Sequence, residues 1–135
     1  MPEVSSYDYA ILRIVPFVER GECMNAGVIL FCPTRSFLDA LIHLDRQRLA
    51  ALAPQLDYDT LCNHLDAIQL ICRGEAEVGG LGHMSQSERF QWLVSPRSTI
   101  IQPSSIHSGL CTDPQATLEH LLKTMVLLPE DEKNK

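Results

Sequence analysis

The side chains best equipped for chemistry crowd into one stretch, Glu88 to Gly109, with the sequence ERFQWLVSPRSTIIQPSSIHSG. It holds the only Trp of the chain, Trp92, together with Arg89, Arg97, Ser98, Thr99, Gln102 and His107. Arginine forks grip phosphate oxygens in pairs, and an imidazole can give or take a proton near neutral pH. Gathered around one cleft, these groups would hold a phosphate-containing substrate. Three residues near the amino terminus join them as candidates: Arg13, Glu22 and Asn25. Glu22 could orient His107 or bind a metal, and Asn25 could read a ligand. Each also has a structural use. Ser, Thr and Asn side chains commonly close turns and cap backbone ends. Arg13 would then lie along a sheet and pair with a carboxylate such as Glu22. Asn25 would fix a bulge next to Gly27, because glycine inside a strand marks a bulge or a close backbone approach. Trp92 would be either core or the anchor of an interface.

No established catalytic motif accompanies these residues. Gly79, Gly80 and Gly82 supply neither the phosphate loop G-x-x-x-x-G-K-[ST] nor the dinucleotide fingerprint G-x-G-x-x-G. Cys23, Cys32, Cys62, Cys72 and Cys111 include no C-x-x-C pair, which argues against a zinc ribbon or a redox dithiol. Five free, mostly buried thiols are expected, with no metal and no cofactor. The net charge of −6 argues against a general nucleic-acid binder, which must neutralise phosphates. The amino terminus lacks a basic region followed by an apolar one, and no apolar run reaches a membrane span. A cytoplasmic protein away from the membrane is expected.

The elements that must position these groups can be read from pattern. Tyr7–Val15 is a strand with apolar residues on both faces, hence an interior strand. Glu22–Cys32 returns after a short turn, and Phe37–Leu44 alternates cleanly with Leu38, Ala40, Ile42 and Leu44 inward. The three form an antiparallel meander. Arg46–Ala53 and Tyr58–Arg73 are helices, the second capped by Asp57, with a core stripe of Leu61, Leu65, Ile68 and Cys72. Residues 75–83 form a glycine-rich loop. Ser85 and Glu88 have capping-box spacing and open a helix over Gln86–Leu93, which Pro96 stops. Ser98–Gln102 is a short strand ended by Pro103, and Ile106–Leu110 a second one closed by Gly109. Asp113 and Pro114 start a last helix, with Leu118, Leu121, Leu122 and Met125 inward. The expected fold is α+β: a three-strand meander plus one or two carboxy-terminal strands, with the helices packed on one face. A single domain should span 1–135, its core about 7–127, with a polar tail at 129–135.

Two segments, YDYAILRIVPFVERGECMNAGVILFCP and SERFQWLVSPRSTIIQPSSIHSGLCTDP, resemble a bacterial family, the domain of unknown function 3037. LAPQLDYDTLCNHLDAI between them is similar to the same family, so the resemblance covers nearly the whole chain. Cys23 and Met24 depart from its pattern. The resemblance carries no established activity. Members are often encoded beside a HipA-like kinase-fold protein, which implies a protein partner of that kind.

Together these readings favour a non-enzymatic interaction or regulatory module with Trp92 as anchor, since Trp and Arg dominate recognition surfaces. The alternative is an enzyme or ligand-binding protein acting on a phosphate-containing substrate through an Arg/His cleft.

Overall fold

The computed structural model describes residues 3–74, 83–96 and 99–128. The expectations for the loop at 75–82, for Arg97 and Ser98, and for the tail at 129–135 lie outside them.

Apolar, β-branched sequence pairs into an open antiparallel sheet. Strands β1 (Ser5–Ile14), β2 (Met24–Cys32) and β3 (Phe37–Ile42) form the expected meander, with β1 at the centre. Two short strands share its other side: β4 (Ile101–Pro103) pairs with Leu12–Ile14, and β5 (His107–Cys111) with Ser5–Tyr9. They are two halves of one interrupted strand. Between the pairs Leu12↔Pro103 and Tyr9↔His107, β1 advances one residue less than its partner. Ser104 absorbs the slack. Its N–H donates to the Ile11 carbonyl at 2.8 Å, and its Oγ accepts from the Ile11 N–H at 2.8 Å. Pro103 ends β4 rather than lying beyond it, which an edge strand tolerates because the missing N–H need not face a partner.

A second irregularity lies across β1. Leu12 pairs with Gly27 but Arg13 with Asn25, so Ala26 is an extra residue. The glycine is required by close approach. A Cβ at Gly27 would meet the Leu41 carbonyl oxygen at 2.9 Å and Ile42 Cδ1 at 2.8 Å. Gly109 does not close β5, as the pattern suggested. It pairs with Tyr7 inside the strand, and a Cβ there would strike the Tyr7 hydroxyl at 2.6 Å, so the tyrosine ring occupies the space a side chain would need.

The helices are α1 (Arg46–Leu52), α2 (Tyr58–Cys72), α3 (Gln86–Leu93) and α4 (Pro114–Met125). Three starts are those the sequence announces: Asp57 caps α2, Asp113 caps α4, and Ser85 with Glu88 forms a complete capping box on α3; Asp45 caps α1 as well. The expectation that all helices share one face is corrected. Ala10, Leu12, Ile14, Ile29 and Phe31 face a core built with Leu49, Leu61, Leu65, Phe90 and Leu93 from α1, α2 and α3. Ile11, Val28, Leu30 and Cys32 face the other way, onto Leu118 and Leu121 of α4. Because β1 and β2 are apolar on both faces, each face requires its own cover. No helix among the described residues is long and apolar enough to cross a membrane.

Candidate functional site

A concavity opens on the face that carries α1–α3, between α2, α3 and β4. It encloses about 730 Å³. Leu12 of β1 and Leu61, Ile68, Ile71, Leu93 and Ile101 line it with apolar surface, while Trp92, Thr99, Ile100 and Pro103 bound it opposite α2. The α2 wall runs from Asp57 through Thr60, His64 and Ala67 to Ile71. At 1.5 Å per residue that wall is about 20 Å long. The concavity is thus a groove. Trp92 and Ile100, 41% and 38% exposed, stand in its lining as large apolar groups open to solvent.

The polar groups of the groove are few. Asp57 accepts from the Thr60 N–H at 3.0 Å and from its hydroxyl at 2.5 Å, so the pair is occupied in starting α2. Those hydrogen bonds hold the Asp57 carboxyl below its ordinary range. His64 is exposed on the same wall. His64 is not among the candidate residues that the sequence singles out. A signal was present in the second helical set of α2, Thr60, His64, Ala67 and Ile71, at spacings of three and four beside the core stripe.

The structure divides the sequence candidates between places. Trp92 and Thr99 line the groove. Arg13, Asn25 and Gln102 stand directly opposite one another on β1, β2 and β4, and point to the α4 face. His107 lies farther along that face, exposed, its ring 5.3 Å from that of Tyr9. Asn25 does not bind its own bulge. Its Nδ2 donates to the Met125 carbonyl at 2.9 Å and so terminates α4. Gln102 Nε2 donates to the Thr99 carbonyl at 2.8 Å. Glu22 pairs with Arg20 at 2.5 Å, on an exposed turn, and not with Arg13. That contact lowers the Glu22 pKa.

Arg89 is a clamp. Its guanidinium donates to the Met84 carbonyl at 2.6 Å and the Cys72 carbonyl at 3.4 Å, joining the end of α2 to the approach to α3. A cation at a helix carboxy terminus also complements the helix dipole. All five cysteines are free, and burial pushes the Cys72 thiol up to about 12. Among the described residues no three of His, Cys, Asp and Glu are grouped to hold a metal ion.

Residues 9–126 match the model of a family described as a protein of unknown function (DUF3037), and the chain belongs to that family. No curated protein and no solved structure matches it.

Proposed function

We propose that this protein is a recognition module whose groove between α2, α3 and β4 receives the apolar stripe of a helix from a protein partner. The observation that carries the reading is the groove itself: about 20 Å of helical wall, an apolar floor, and exposed Trp92 and Ile100 in its lining. Helix-in-groove recognition uses apolar anchors three and four residues apart in a groove of this character, and aromatic residues are the usual centres of binding energy. The polar groups favour binding over chemistry. Asp57 and Thr60 are engaged with each other at the start of α2, and the rest of the described lining is mainly apolar. A HipA-like kinase-fold protein is the first partner to test.

Ala67 offers the test, because it is half-buried in the groove wall and no core contact is lost when it grows. Ala67→Trp should fill the groove, leave the melting temperature close to wild type, and abolish co-purification with the partner. Unaltered capture of the partner by this variant would rule the reading out. A second reading follows from the volume, which lies in the range of about 300–1,000 Å³ typical of small-molecule sites. An elongated apolar ligand would change the emission of Trp92, the only Trp of the chain, without any partner protein.

A further inference from the structure

Arg13 lies on the central strand with an amide on each side, Asn25 on β2 and Gln102 on β4. Its guanidinium offers only donors and no acceptor. The Nε atom is buried and has no hydrogen-bond partner among the described residues. The ion pairs among the described residues leave Arg13 out: Glu22 is held by Arg20, and Asp39 by Arg73 at 2.9 Å. A buried donor left unmade is costly, more so on a charged group, and one that persists in a folded protein calls for an explanation, such as a bound water or ion.

The neighbours define what such an acceptor must be. Asn25 donates through Nδ2 to the Met125 carbonyl and Gln102 through Nε2 to the Thr99 carbonyl, so each amide nitrogen already serves the fold. The guanidinium therefore supplies the donors, as a planar fork that matches two oxygens of one carboxylate or phosphate. Arg13 faces the side of the sheet that α4 covers. That helix packs on β2 and β3, while Tyr9 and Gln102 are half-buried and His107 is exposed. We infer that Arg13 anchors a small-oxyanion site on the α4 face, separate from the groove and independent of what the groove binds.

The test uses the full chain and two probes, inorganic phosphate and acetate, titrated at constant ionic strength by calorimetry and by thermal melt. Wild type should bind one of them and melt higher in its presence, and the stronger probe identifies phosphate or carboxylate as the source. Arg13→Met should weaken that binding by roughly tenfold or more, the equivalent of one charge-assisted hydrogen bond. If the Met variant does not fold, Arg13→Lys keeps the charge without the fork and should fold but bind more weakly. Two results would overturn the site: no binding of either anion to wild type, or equal binding and equal stabilisation in wild type and variant. A melting drop in Arg13→Met combined with no anion binding to wild type would assign Arg13 to the carbonyl end of α4 instead.

Discussion

Ser104→Ala should be among the most damaging single-atom deletions in this protein. Ser104 is 5% exposed, and it is the buried polar side chain among the described residues. Its hydroxyl stands where a strand carbonyl would be, accepting the Ile11 N–H at 2.8 Å and donating to the Ser105 carbonyl at 2.9 Å. Alanine leaves the shape nearly intact and removes both bonds. The Ile11 N–H, in the middle of the central strand, then has no acceptor. A buried donor left unsatisfied costs about 1–3 kcal/mol. For a chain of this length about 1 kcal/mol corresponds to roughly 3–5 °C in melting temperature, so a fall of about 6–10 °C is expected at the centre of the range. Thermal denaturation followed by circular dichroism measures it, and hydrogen exchange locates it, with the Ile11 amide losing protection before its neighbours. Ser104→Thr keeps the hydroxyl and should recover part of the loss. A Ser104→Ala protein that melts within about 1 °C of wild type and keeps the Ile11 amide protected would refute the reasoning, since the bulge would then be held by backbone pairing alone.

Gly27→Ala should cost about 1–3 kcal/mol by overpacking, because the Leu41 carbonyl oxygen 2.9 Å from the new Cβ belongs to the β3 ladder and cannot swing away; a denaturant melt reads the loss. Thiol alkylation of the native protein at pH 8, mapped by mass spectrometry, should mark exposed Cys23 first and spare Cys32, Cys72 and Cys111 until the chain unfolds, with Cys72 protected both by burial and by a pKa near 12. On acidification the caps of α2 and α3 should fail. Asp57 and Glu88 have pKa values lowered by the hydrogen bonds they accept, so their contribution is present above the ordinary carboxylate range and is lost as pH falls through the folded values. Glu88→Gln should flatten part of that acid limb in a pH series of melts, and an unchanged limb would count against the capping box.

The meander and the helix starts were legible because local chemistry specifies them. β-Branched runs between turn residues make β1 to β3, and Asp57, Ser85 with Glu88, and Asp113 with Pro114 announce helices by satisfying their first N–H groups. The side of the sheet each helix takes was not legible. A stripe such as Leu118, Leu121 and Leu122 shows that a helix buries one face, but β1 and β2 offer apolar surface on both sides, so either side would satisfy it. The groove was hidden for a related reason. Leu61 and Ile68 were read as core, and they touch it, but both also line the groove; a helical stripe looks the same whether its neighbours close over it or leave a gap. The row of Arg13, Asn25 and Gln102 depends on register across three strands, and two bulges set that register.

Those two bulges explain why one strand can serve both faces. Leu12 lines the groove while Arg13, the next residue, points to the α4 side, as strand geometry demands. Without the extra residue at Ala26, the partner opposite Arg13 would be Ala26 and not Asn25, and the amide that ends α4 would point to the groove face. Without the slack at Ser104, β5 would pair one residue out of step with β4, and His107 would leave the face that holds Gln102. Each bulge reverses the alternation of everything beyond it on its own strand. The polar residues on the α4 face are therefore brought together by two insertions on either side of an unbroken β1. The apolar groove, which draws on β1, β4 and the helices, keeps its lining on the opposite side.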